Sequence, residues 1–188
     1  TRMDAMFSLA VAFNQDIGSW KVGQVNNMNN MFSGANSFNQ DIGSWNVGNV
    51  TNMQTMFYDT PFNQDIGGWN VSKVLTMQEM FLDAGAFNQD ISAWDVKKVI
   101  NMQNMFNFAG SFNQSLAAWD ISSVTTMSGM LSNSNLSTAN YDATLIGWST
   151  LSGGETLIPS GIALGASNLT YCAGEPARAA LMATHSWT

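Results

Sequence analysis

The stretch Phe38-Asn39-Gln40-Asp41-Ile42-Gly43-Ser44-Trp45-Asn46-Val47, continued by Val50-Thr51-Asn52-Met53 and Met56-Phe57, decides the fold because the chain repeats it. Phe-Asn-Gln begins at Phe13, Phe38, Phe62, Phe87 and Phe112, at spacings of 25, 24, 25 and 25 residues. A tryptophan comes seven residues later each time: Trp20, Trp45, Trp69, Trp94 and Trp119. Two β-branched residues follow (Val22 and Val25 in the first unit, Ile121 and Val124 in the fifth), then a Met-x-x-Met pair such as Met28 and Met31. The sequence opens on Met3-Asp4-Ala5-Met6-Phe7, the tail of a further unit, so more chain is expected upstream. Repetition at a fixed short period predicts units that cannot close a core alone and bury their apolar stripe by stacking.

The pattern inside one unit predicts its local structure. Ile17-x-x-Trp20-x-Val22 has the L-x-x-L-x-L spacing of the strand segment in leucine-rich repeats, and the alternation around Trp20 and Val22 fits a strand. From Val25 the apolar residues recur every three (Val25, Met28, Met31, then Phe32), which predicts a short helical or 3₁₀ turn. Ser33–Ser37 reads as a loop. Stacking at roughly 4.8 Å per rung would line up equivalent residues in columns. Asn14, Asn39, Asn63, Asn88 and Asn113, beside Gln15, Gln40, Gln64, Gln89 and Gln114, then form an amide ladder that satisfies backbone along the stack. The pattern decays in the fifth unit, where Ser115, Leu116 and Leu131 replace Asp, Ile and Phe, and decay at an array's end signals a cap. Residues 1–132 are therefore read as repeats, about five and a half units, and 133–188 as a C-terminal cap. Within the cap, Ser137 or Thr138 would start a helix running to about Trp148. A Gly/Ser loop spans 149–155, short strands are expected near Thr156–Ile158 and Ile162–Leu164, and Pro176 opens a helix over Ala177–His185.

Composition narrows the function classes. The chain has 188 residues, is 45% hydrophobic and only 10% charged, and contains 21 Asn and 13 Met. Six basic residues against 13 acidic ones give a net charge of −7, which argues against nucleic acid or an anionic membrane as partner. A single cysteine excludes an internal disulfide framework and a multi-Cys zinc site. No apolar run is long enough to span a membrane, and no signal peptide is recognisable.

These residues carry a resemblance. The unit beginning at Phe38 resembles the roughly 25-residue repeat of BspA-type leucine-rich-repeat surface proteins, formerly a domain of unknown function, found in mycoplasma lipoproteins and in Bacteroidetes. Tyr171-Cys172-Ala173-Gly174-Glu175, with Arg178, Leu181 and Trp187, is similar to the cap closing such arrays in flavobacterial proteins. The resemblance implies a bacterial, secreted or cell-surface protein with a binding or adhesive role, and it carries over no catalytic residue. Val25 stands where leucine-rich repeats usually have Asn or Cys, and Met28 comes one position late. With the periodicity, the resemblance sets the fold expectation: an α/β solenoid, a right-handed leucine-rich-repeat-like coil with short parallel strands and short helical turns, closed by a mixed C-terminal cap.

Repeated Met-x-x-Met suggests Cu(I), but the spacing is that of the buried stripe, and methionine fills irregular cores well. Asp16, Asp41, Asp65 and Asp90 offer one carboxylate per rung where Ca²⁺ wants six to eight oxygens, so turn capping is the expected role. His185 and Cys172 are the only residues of their kinds, and no triad, phosphate loop or dinucleotide motif is present, so no enzyme activity and no cofactor or metal is expected. A file of small and amide residues beside the expected strand is the candidate ligand-binding face: Ser19, Lys21, Ser44, Asn46, Gly68, Asn70, Ala93, Asp95, Ala118 and Asp120. The expected function is a monomeric binding or adhesion module, part of a larger chain, that recognises an extracellular peptide, protein or glycan through that face. The alternative is binding to a crystalline surface such as ice, for which Thr51, Thr125 and Thr126 lie at matching positions while Asn26, Leu75 and Ile100 interrupt the file.

Overall fold

The computed structural model describes residues 1–151 and 155–188. In each unit the backbone turns where the strand is expected, and Asp16 shows why. Its Oδ1 accepts the Gly18 N–H at 2.9 Å, and the Trp20 N–H then closes on the Ile17 carbonyl at 3.0 Å. A second turn follows at once, with the Val25 N–H donating to the Val22 carbonyl at 2.8 Å. A short acidic side chain can bond the backbone two residues on, which makes a turn competitive with extension. Asp41, Asp65 and Asp90 repeat the arrangement with Gly43, Gly67 and Ser92.

The expectation of an α/β solenoid with short parallel strands is therefore overturned. Among the described residues, parallel pairing amounts to isolated bridges, Arg2 to Asn27, Asn27 to Asn52, Asn52 to Thr76, Thr76 to Asn101 and Asn101 to Thr126, with no sheet. An L-x-x-L-x-L spacing is also the spacing of turn corners. Ile17, Trp20, Val22 and Val25 point inward because they end turns, not because they alternate along a strand.

The helical turns expected from Val25 onward are absent for a related reason. The N–H groups of Met31, Ser33 and Ala35 close turns on the carbonyls of Met28, Asn30 and Phe32, at 3.1, 3.2 and 2.9 Å. Those of Met28, Asn30, Phe32 and Gly34 leave the rung and donate to the carbonyls of Asn52, Gln54, Met56 and Tyr58 in the next, at 3.0, 2.9, 3.0 and 2.8 Å. Alternate amides thus serve the rung and the stack. The alternation needs two left-handed residues per rung: Asn30 and Gly34 at φ of 57° and 68°, then Thr55 and Asp59, Glu79 and Asp83, Asn104 and Phe108, and Gly129 and Asn133. A helix cannot run through a positive φ, so the period of three becomes a chain of turns.

Stacking turns each repeat position into a file. The phenylalanines form two, Phe7-Phe32-Phe57-Phe81-Phe106 with centroids 5.6–5.8 Å apart, and a second from Phe13 to Phe112 that lies 3.8–4.1 Å from the first within each rung. The methionine pairs from Met28 to Met130 are fully buried beside them. Each indole N–H from Trp45 to Trp119 donates to the preceding rung's carbonyl at Ile17, Ile42, Ile66 or Ile91, at 3.1–3.2 Å, which satisfies a buried polar group at no loss of packing. The amide ladder runs outside: Asn14 Oδ1 accepts from the Asn39 N–H and, with the Asn14 carbonyl, from the Gln40 side chain, and Asn63 and Asn88 do the same for the rungs above them.

Among the described residues two helices follow, α1 over Thr138–Trp148 and α2 over Glu175–His185. The Ser137 hydroxyl caps α1, accepting from the Asn140 N–H at 3.3 Å, and Pro176 occupies the first turn of α2. Helix α1 closes the array by imitating the rung that would come next. Trp148 Nε1 donates to the Leu116 carbonyl at 3.0 Å as the earlier tryptophans do. Asn140 and the Ser137 N–H meet Asn113 as the Gln side chains and Asn amides meet their rungs. The second half of the imitation comes from Gly165 and Ser167, whose carbonyls accept from Leu131 and Asn133. The strands expected near Thr156–Ile158 and Ile162–Leu164 are not formed. Leu164 makes one isolated bridge to Met127, and the chain there pairs instead with the terminus, Leu164 N–H to the Thr188 carbonyl and Thr188 N–H to the Ile162 carbonyl. Of the expected Gly/Ser loop at 149–155, residues 152–154 lie outside the described residues.

Candidate functional site

The face picked out by the sequence is built from turns. Because Ile17, Trp20, Val22 and Val25 are corners, the residues between them face outward. Ser19, Lys21, Ser44, Asn46, Gly68, Asn70, Ala93, Asp95 and Ala118 are all exposed, and Asp120 is half-buried. Successive rungs bring them into one surface. The Ser44 hydroxyl donates to the Gly18 carbonyl at 3.2 Å, Asn49 Nδ2 to the Gly23 carbonyl at 2.8 Å, and Lys73 Nζ to Asn49 Oδ1 at 2.7 Å. At the first two rungs the surface dips into an open depression of about 440 Å³ bordered by Ser19, Lys21, Ser44 and Asn46.

Four of these residues hold the scaffold as well as face solvent. Asn46, Asn70, Asp95 and Asp120 each accept, through Oδ1, the backbone N–H two residues on, at 3.2, 3.1, 3.2 and 3.0 Å. What they leave for a ligand is the second half of the group, Nδ2 in Asn46 and Asn70. Asp120 also accepts from the Ser122 hydroxyl and lies 3.5 Å from Lys97 Nζ. Burial pushes its carboxyl up, but the Ser122 bonds and Lys97 outweigh that and leave it below the ordinary value. Sequence reasoning missed this turn-capping role, although the Asx-x-[Gly/Ser/Lys] signature was in view. It also missed the charge pattern: all four lysines, Lys21, Lys73, Lys97 and Lys98, lie on this edge of a chain of net charge −7.

A second concavity had no signal in the repeat. It is a cleft of about 290 Å³ in the cap, walled by Tyr141 and Leu145 of α1, Arg178 and Leu181 of α2, Tyr171 and Trp187. The loop into α2 is pinned by Asp142, whose carboxylate accepts the N–H groups of Cys172 and Ala173 at 3.0 and 2.9 Å. Those amide bonds, the Cys172 bond foremost, hold its carboxyl below the usual range against the opposing effect of burial.

The remaining candidates separate. The methionine pairs from Met28 to Met130 lie wholly within the core, while Met6 and Met182 are exposed. The Asp16, Asp41, Asp65 and Asp90 carboxylates each cap a turn, and among the described residues no three His, Cys, Asp or Glu side chains converge on a point that would hold a metal ion. Cys172 is exposed and His185 ends α2. The hydroxyls of Thr51 and Thr125 donate to the carbonyls of Asn26 and Ile100, and the same file presents exposed Leu75 and Ile100.

Among the described residues no helix is long and apolar enough to cross a membrane. The family described as "Mycoplasma protein of unknown function, DUF285" matches residues 1–61 and 58–145. No curated protein and no solved structure matches the chain. Since the two matches cover well over half of the chain, it belongs to that family.

Proposed function

We propose that this member of the family is a secreted or cell-surface binding and adhesion module that recognises an extended glycan, peptide or protein segment through the turn-lined face running from Ser19 to Asp120. The observation that carries this reading is the five-fold recurrence of one pair of outward positions, the second polar or charged in every rung (Lys21, Asn46, Asn70, Asp95, Asp120), on a scaffold with hydrogen bonds between rungs. A periodic row of small, polar and charged side chains on a stacked scaffold meets an extended ligand with little ordering cost on the protein side. The four lysines on this edge favour ligands bearing carboxylate or sulfate groups. Likeness of the repeat to BspA-type leucine-rich-repeat surface proteins supports the location and the adhesive role.

The test is a glycan and peptide array, with ice affinity measured in parallel. A bulky charged side chain such as Lys at Asn46 or Asn70 would also remove a turn cap, so the disabling variant is better placed at Gly68 and Ala93. Gly68 has open space around its missing Cβ, and Ala93 is exposed. The double variant Gly68→Glu, Ala93→Glu is expected to keep the wild-type melting curve and to lose at least tenfold in affinity for the array hit. Unchanged affinity would remove this face from consideration, and ice affinity without array hits would overturn the reading.

A further inference from the structure

The cap cleft has the makings of a small-molecule site, and its polar groups specify the ligand. Arg178 is the only Lys or Arg after Lys98, and among the described residues no carboxylate pairs with it. Its guanidinium lies 5.1 Å over the Tyr171 ring, which orients it while leaving its donor fork unused. Tyr141 is the second group. Its ring is buried, and its hydroxyl, which makes no hydrogen bond to a described residue, keeps contact with solvent where Tyr141 lines the cleft and so is open to a ligand. Burial raises its phenol, so it stays a donor at neutral pH. The nearest acid in sequence, Asp142, is occupied by the amides of Cys172 and Ala173. Apart from Thr188, the other walls are apolar side chains: Leu145 and Leu181 are buried, and the Trp187 indole N–H is already committed to the Pro159 carbonyl at 2.7 Å. Among the described residues, a guanidinium without an ion pair, a solvent-facing phenol hydroxyl and mostly apolar side chains converge on a space at the small end of the range for ligand pockets, roughly 300–1,000 Å³.

The geometry points to a binding site for a compact aromatic monocarboxylate, its carboxylate held by Arg178 and Tyr141 and its ring against Leu145, Leu181 and Trp187. This site is independent of the turn-lined face. Charge-assisted, two-pronged recognition of a carboxylate by Arg is strong, and it fails for the neutral amide of the same shape.

The test uses the 188-residue chain. Phenylacetate and indole-3-acetate are titrated by NMR, following the Arg178 Nε and Trp187 indole signals, beside phenylacetamide as the neutral isostere. Both acids are expected to move both signals, and phenylacetamide to bind roughly tenfold more weakly. Arg178→Gln is expected to reduce affinity for the acids roughly tenfold while leaving the amide unchanged, and Tyr141→Phe to weaken the acids severalfold. Arg178 is half-exposed, so its variant should fold, as the melting curve checks. Arg178→Lys, keeping charge without the fork, should fall between wild type and Arg178→Gln. Equal binding of acid and amide, acid binding untouched by Arg178→Gln, or no shift with either acid at millimolar concentration would each overturn the assignment.

Discussion

At the scale of single residues, the left-handed positions decide how well each rung fits. Glycine and asparagine reach that region at little cost, while other side chains bring Cβ against the following carbonyl at roughly 1–2 kcal/mol. Gly34 and Asn133 stand where Phe108 stands in another rung, at φ of 57° and 55% exposed. Phe108→Asn is therefore expected to stabilise the chain by about 1 kcal/mol, read in urea unfolding or as a rise of roughly 2–4 °C in Tm. Thr55 shares the conformation, at φ of 52°, but its hydroxyl bonds Asn30 Oδ1 at 2.6 Å. Thr55→Val keeps the strain and loses that bond in a buried place, so a destabilisation of about 1–2 kcal/mol is expected in the same measurement.

At the scale of elements, α1 works because it copies a rung's contacts, and its fit can be probed at Gly147. A Cβ there would come 2.3 Å from the Ala117 carbonyl oxygen. Helix propensity alone makes Gly→Ala a gain of about 1 kcal/mol, whereas overpacking against backbone costs about 1–3 kcal/mol. Gly147→Ala should therefore lower stability by at least 1 kcal/mol in equilibrium unfolding. Asp142 gives the cap a pH dependence. Its folded value lies below the ordinary 3.8, so its contribution is complete above 3.8 and is lost as pH falls through the lowered value. Unfolding midpoints measured down through that window should fall more steeply for wild type than for Asp142→Asn. Much of this was legible beforehand. The period, the buried files, the Ser137 cap and the Pro176 start follow from residue identity and spacing. The turns in place of the expected strands were not recoverable, because a spacing of three between apolar residues fits strand motif, helical turn and β-turn corner alike. Only the inter-rung destination of alternate amides separates them. The cap cleft was illegible for another reason: it joins Tyr141, Tyr171 and Arg178 across segments that no period relates.

At the scale of the molecule, each rung touches only its neighbours, so a whole unit should be removable. Deleting residues 62–86 restores the register by joining Pro61 to Phe87. That variant is expected to fold cooperatively, with a lower Tm and a denaturant m-value reduced by roughly an eighth, in line with the surface removed. Loss of cooperativity would show that the rungs differ more than their sequences do. The direction of the inter-rung bonds has a further consequence. Indole and amide side chains reach backward to the preceding rung, as Trp45 does to Ile17, while the Met-segment backbone N–H groups reach forward, as Met28 does to Asn52. The two faces of a rung are therefore chemically unlike, and like faces do not pair. Any joining of separate copies through their rungs must run head to tail, giving polar filaments in place of closed dimers. Seen this way, α1 is a chain terminator: by answering the Leu116 carbonyl and Asn113 itself, it denies a second molecule the surface on which polymer growth would start.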